Sequence, residues 1–292
     1  MAHPQIAAFA RLADGGAEPT RRIEGQQTRL SRTMHSIEYD AIHDEIVVSV
    51  QFAQAIATFR GGAAGEEAPI RLLQGPSTRM RRPDQVAVDP IHNELTVAEG
   101  DAILTFPREA NGNVAPIRVI EGPDTQLRPK GGGRGATSSG VSSPPLAVDP
   151  INNMIVVVIG DSVITYNRTD AGNVKPRTVI SGPKSSLTAS RGVAVDPEHG
   201  WILAFITDRQ RRSGASIGIW RHDDNGDVPP RFRIEAGNVL RSPRGLTLDP
   251  RNDAVIASEK ETNSILTFLV PELFATPRRS SASGEAREAE SR

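Results

Sequence analysis

A chain of 292 residues with 37% hydrophobic but only 4% aromatic content can build a core of many thin layers, and its formal charge of −1 offers no field to steer nucleic acid or an anionic membrane. The absence of cysteine excludes disulfides, thiolate metal sites and a cysteine nucleophile. No window reaches the roughly 18 to 20 apolar residues of a membrane span, and the opening MAHPQIAAFARLADGG lacks a basic stretch before a long apolar run; a soluble chain with no visible signal peptide is expected, its compartment open.

The first elements are Ile6 and Phe9, an apolar residue three positions before an aromatic one, followed by Gly15, Pro19, Arg21 and Gly25. Pro at a strand entrance and Arg along it suit an outer edge strand, where a missing N–H is harmless and charge blocks edge pairing. Ile37-Glu38-Tyr39-Asp40-Ala41 then forms a short apolar run ending at an Asp, and Glu45 to Val50 forms a second, β-branched run. Ile56 and Phe59, then Gly65, Pro69, Arg71 and Gly75, repeat the opening pair of segments.

From there the same four segments recur. The phrase ending in Asp returns as Val86 to Pro90, Leu146 to Pro150, Val193 to Pro197 and Leu246 to Pro250. The β-branched run returns from Glu94, Met154, Trp201 and Ala254, as expected of strands covered on both faces. The apolar-aromatic pair returns as Ile103/Phe106, Val163/Tyr166, Ile217/Trp220 and Ile265/Phe268, a ring suited to the wedge between neighbouring sheets. The Gly-Pro-Arg segment returns from Gly112, Gly172 and Gly226. The aspartates fall 49, 60, 47 and 53 positions apart, a period that predicts an all-β β-propeller of four-stranded blades in one domain over residues 1–275.

Counting segments predicts five repeats plus an N-terminal partial one, six blade positions with one incomplete; the alternative is a five-bladed ring closed by the Pro19–Gly25 strand. Arg128 to Pro145 reads as a Gly/Ser-rich loop whose Lys130 and Arg134 are solvated, and Arg209, Arg211 and Arg212 as a basic surface loop. Residues 276–292, almost without apolar side chains, are expected to be a disordered tail.

Asn111 to Thr125, with its Gly-Asn-x-x-Pro-x-Arg-x-Ile-x-Gly spacing, and Gly172 to Gly182 carry a resemblance to the bacterial NHL/YVTN-type six-bladed β-propeller repeat proteins, in the gluconolactonase-like superfamily. The resemblance spans residues 5 to 270 and implies the architecture. Such propellers serve unrelated roles and are commonly exported.

The residues weigh against chemistry. Asp40, Asp89, Asp149, Asp196 and Asp249 stand at hairpin corners and are expected to cap their own turns, although a ring of acids could hold a cation. His43, His92 and His199 share one repeat position with Asn152 and Asn252, a turn preference and not a ligand set. No hydrolase, metalloprotease or phosphate-loop motif is present. The leading expectation is therefore a non-catalytic binding scaffold with no catalytic residue and no cofactor, taking a protein or carbohydrate-like ligand at a propeller face. A metal-dependent lactonase-like hydrolase is the alternative. The resemblance implies for it a divalent cation held by Glu38, Asn153 and Asp208, though the motifs around such ligands are missing. RNA binding in the manner of some NHL propellers is a third expectation, opposed by the charge.

Overall fold

A computed structural model describes residues 4–32, 34–128, 144–188, 190–207 and 214–275. In it the repeat becomes a series of antiparallel sheets arranged as a β-propeller of five blades. A separate pair, β1 (Gln5–Ala8) and β2 (Arg21–Glu24), precedes them. The first blade is β3 (Ile37–Asp40), β4 (Glu45–Val50), β5 (Ala55–Arg60) and β6 (Arg71–Gln74). The second is β7 (Gln85–Asp89), β8 (Glu94–Glu99), β9 (Ala102–Pro107) and β10 (Arg118–Glu121). The third is β11 (Leu146–Asp149), β12 (Met154–Ile159), β13 (Ser162–Asn167) and β14 (Thr178–Ser181). The fourth is β15 (Val193–Asp196), β16 (Trp201–Thr207), β17 (Ala215–Arg221) and β18 (Phe232–Glu235). The fifth holds only β19 (Pro243–Asp249), β20 (Ala254–Glu259) and β21 (Ser264–Leu269), followed by the single helical turn α1 (Pro271–Phe274).

Each blade begins at the propeller axis, where β3, β7, β11, β15 and β19 touch in succession, and works outward. The hairpin from first to second strand needs a left-handed residue four positions after its aspartate. Asp44, Asn93, Asn153, Gly200 and Asp253 fill that place with φ between 52 and 69°, residue types that tolerate it. The second strands are buried throughout in β4 and β12, because a sheet lies against each face.

The core therefore sits between blades. Ile56 of one blade packs with Phe106 of the next, Ile103 with Tyr166, and Val163 with Trp220, so the paired residues of the Ile-x-x-aromatic strand point to opposite neighbours. All four rings, Phe59, Phe106, Tyr166 and Trp220, are sealed from solvent, as the wedge reading expects. Blades are also clasped at their rims. Asn113 Oδ1 accepts from Ser77 N at 2.7 Å, and Asn173 Oδ1 accepts from Asp124 N at 2.8 Å. Each amide lies beside a glycine, Gly75 or Gly122, where a Cβ would fall 2.5 Å from it. That contact, with φ of 136 and 127°, is the physical reason for the recurring glycine.

Two expectations change. The arginines on the outer strands do more than guard an edge: Arg71 and Arg118 turn inward onto Glu45 and Glu94, with side chains only 16 and 19% exposed. The fifth repeat lacks its fourth strand, and β2 pairs with β1 instead of closing that blade. β2 bridges Gly65 through Ile23 in the same parallel manner as Leu73 bridges Gly112, so the N-terminal pair stands beside the first blade as the outer half of a preceding one. Among the described residues no helix is long and apolar enough to cross a membrane.

Candidate functional site at the mouth of the axial channel

Repeated polar residues serve the scaffold first. Asp40 Oδ1 accepts from the N–H groups of Ile42 and His43 at 2.9 and 3.0 Å, and its Oδ2 meets His43 Nδ1 at 2.7 Å. Asp89 repeats the pattern with Ile91 and His92, and Asp196 with Glu198 and His199. Asn152 and Asn252 replace the imidazole, each donating its amide at 2.8 Å to Asp149 and Asp249. Both oxygens of each buried acid in the His-bearing corners are thus used inside its own turn, as the sequence reading expects.

A second set ties blade to blade. Glu45 receives Arg71 of its own blade and, at 2.6 Å, Arg108 of the next; Glu94 receives Arg118 and, at 2.9 Å, Arg168 of the next. Burial pushes the Glu94 carboxyl up, but the two guanidinium partners outweigh it and hold it below the ordinary carboxylate range.

The site lies at the opposite end of the first strands. Five residues before each corner aspartate the chain places His35, Asp84, Pro144, Arg191 and Arg244. The corner positions keep their chemistry or a near substitute, whereas this one carries four different residue types. It was missed in the sequence because it falls outside the repeating phrase; tabulating positions by their distance from the aspartate exposes it.

Around the axis these residues converge. His35 Nδ1 makes a short hydrogen bond to Asp84 Oδ1 across the first two blades, with Gln51 Nε2 at 3.4 Å from the same oxygen. Ser49 Oγ donates to the Asp84 carbonyl at 2.8 Å, fixing the loop that carries it. Asp84 is fully buried, and its Oδ2 is sealed from solvent without a hydrogen-bond partner. The His35 side chain is 42% exposed, so the acid holds and orients an imidazole that faces outward. The hydrogen bond that Asp84 accepts raises the His35 pKa, against burial and the Arg244 charge, which lower it. Arg244, from the fifth blade, is itself lowered by burial and by Arg191 of the fourth. An imidazole and two guanidiniums from three blades thus meet at one end of the axis, with Asp84 beside His35 and Glu259 beside Arg244 as the neighbouring acids.

Of the ligand set implied by the resemblance, Glu38 and Asn153 fall among the described residues. Asn153 lies at the hairpin corner of the third blade, where its Oδ1 accepts from Arg168 Nε at 3.0 Å. Glu38 lies midway along β3 in the first blade. Asp208 falls outside the described residues, as do Lys130, Arg134, Arg209, Arg211, Arg212 and the tail from residue 276. No group of three or more His, Asp or Glu side chains able to hold a metal ion occurs among the described residues.

Glu38 is nonetheless unusual, because burial pushes its carboxyl up to about 7. A group whose folded pKa lies above its unfolded value of about 4.5 stabilises the fold fully below that value and loses the contribution as pH rises toward 7. Glu38→Gln should therefore match the native chain at pH 4 and exceed it at pH 8. The half-buried position reduces the expected gain to about 1–2 kcal/mol. Urea unfolding at both pH values checks this, and a constant difference between them would refute the shift.

No family model matches the chain, and no curated protein matches it in sequence. Among solved structures it is similar to Kuenenia stuttgartiensis hydrazine synthase, with a TM-score of 0.52 and 11% identity over 77% of this chain and 55% of that one. The chain thus spans about half the length of that protein. In all, 861 solved chains match, which marks the propeller as a widely used frame, and the likeness carries the fold alone.

Proposed function

We propose that this propeller is a non-catalytic binding module that takes a carboxylate-bearing, carbohydrate-like ligand at the axial mouth formed by His35, Arg191 and Arg244. The observation that carries the reading is the convergence, at one variable repeat position, of a buried-acid-oriented imidazole and two guanidiniums. Arg binds planar carboxylates with two parallel donors, and a protonated imidazole adds a third. Asp84 keeps His35 protonated to a higher pH, so affinity is present below the raised His35 pKa and falls as pH rises through it.

Calorimetry with a tri-galacturonate probe tests this against neutral maltotriose. The acidic sugar should bind, and Arg244→Gln and His35→Gln should each weaken it at least about tenfold, the loss of one charge-assisted hydrogen bond. Equal binding of the neutral sugar, or no effect of either variant, would overturn the reading.

A lactonase-like hydrolase is the second reading, favoured by the Asp84-oriented His35 and by Glu38, whose pKa near 7 suits proton transfer. It requires stoichiometric Ca²⁺ or Zn²⁺ in the purified protein, lost in an Asp208→Asn variant.

A further inference from the structure

The formal charge of −1 is a balance between two unlike ends of the propeller. Antiparallel pairing brings the start of each first strand and the end of each fourth strand to one end, and the corner aspartates and the turns from third to fourth strand to the other. At the corner end each described third-to-fourth connection carries an acid, Glu18, Glu67, Glu109, Asp170 or Asp223, and Arg108, Arg168 and Arg231 are committed to carboxylates there. At the end that holds the axial mouth, the connections from a fourth strand to the next first strand are basic. Each holds an exposed arginine, Arg32, Arg81, Arg128, Arg191 or Arg241. The acids among their described residues are Asp84, which is buried, and Asp124.

These connections are built as rigid spokes. In four of them a hydroxyl locks the turn at the rim: Thr28 Oγ1 donates to the Gly25 carbonyl and Thr78 Oγ1 to that of Gly75 at 2.6 Å, and Thr125 Oγ1 to Gly122 and Ser185 Oγ to Gly182 at 2.7 Å. All four side chains are 0% exposed. Two residues on, Met80, Leu127 and Leu187 are buried and pin the chain before it runs inward to the axis.

The spokes differ in what their cations meet. Arg79 is matched by Glu121 at 2.6 Å, Arg128 by Asp101, and Arg241 by Glu261 at 3.1 Å. In the first and fourth spokes Arg29, Arg32, Lys184 and Arg191 make no ion pair among the described residues. The first of these tracks leads to His35 and the fourth ends in Arg191, so the two unmatched tracks converge on the mouth.

We infer that this end carries an extended acidic polysaccharide, a uronate-type chain laid across the mouth along Arg29 and Arg32 on one side and Arg191 and Lys184 on the other. The inference rests on the mouth reading above and extends it from a short ligand to a polymer. Guanidiniums grip successive carboxylates with paired donors, and spokes already held rigid lose little freedom on binding. Single-stranded nucleic acid calls for aromatic planes beneath its bases, and among the described residues Phe52 is the exposed phenyl ring at this end.

Calorimetry with nona-galacturonate and tri-galacturonate on the full protein tests the track apart from the mouth. Ser77 and Ser186 hold the places of Lys184 and Arg29 in other spokes, so the variant Arg29→Ser/Arg32→Ser/Lys184→Ser should unfold at the native temperature. At low salt it should weaken the nonamer about tenfold, the sum of three exposed charge contacts, and leave the trimer within about twofold. A nonamer untouched by the triple variant, with the trimer still bound, overturns the track and leaves the mouth reading standing. A trimer that fails to bind, with the nonamer bound and weakened by the triple variant, overturns the mouth reading and upholds the track. An oligo(U) RNA that binds more tightly than the nonamer and depends equally on the triple variant makes the polymer a nucleic acid and overturns the inference.

Discussion

Truncating Glu45 to alanine should cost the fold about 3–5 kcal/mol, read as a lowered urea midpoint at constant slope. Its Oε2 is shared by Arg71 and Arg108, and the Arg108 side chain is only 5% exposed, so removing the acid strands two cations away from water. Arg108 keeps its bond to Asn93 Oδ1 at 3.0 Å and a bond to Glu109, which orient the guanidinium without replacing the lost charge. The exposed pair Arg60–Glu67 gives the contrast. It is bidentate at 2.7 and 2.8 Å, yet with Arg60 58% exposed its removal should leave the urea midpoint near native. A loss at Glu45 no larger than at Glu67 would show that water reaches the inter-blade bridge. The third blade shows that the whole network can be exchanged. Met154 stands at the repeat position of Glu45 and Thr178 at that of Arg71, where Thr178 meets Thr165 of the neighbouring strand of its own blade through a 2.7 Å hydroxyl bond. The acid and its own-blade arginine have gone together, and the next blade puts His222, its pKa lowered by burial, where Arg108 and Arg168 stand.

Phe106→Ala should cost about 4 kcal/mol, whereas Phe9→Ala should cost about 1 kcal/mol or less. The two rings occupy the same place in the repeat, three residues after Ile103 and Ile6. Phe106 is 0% exposed in the cluster shared by the first two blades, so its deletion leaves a cavity walled by Val47, Ile56 and Leu95. Phe9 is 45% exposed, because among the described residues no blade stands on its side of the N-terminal pair. Equal losses would mean that Phe9 is buried in solution, and hence that the array closes on itself. Thermal unfolding followed by tryptophan fluorescence checks both variants, since Trp201 and Trp220 lie elsewhere, in the fourth blade.

What the repeat determined by itself is the blade. Period-2 strands of β-branched residues, an Asp that caps its own corner, and Gly, Asn or Asp where φ is positive are local requirements, so they are written locally and can be read without coordinates. The same locality explains why the corner acids and histidines were legible as scaffolding: their hydrogen bonds reach two or three residues along the chain. Partners 49 or more residues apart were not legible. His35 and Asp84, Glu45 and Arg108, and Arg244 beside His35 meet only because successive blades turn about one axis, and nothing in the neighbourhood of any one of them announces the other. The tertiary structure also decided where the series stops. Residues identical in pattern, Ile103 and Ile265, end buried and bare because burial depends on what stands across the gap, a property of the assembly of blades and not of the residue.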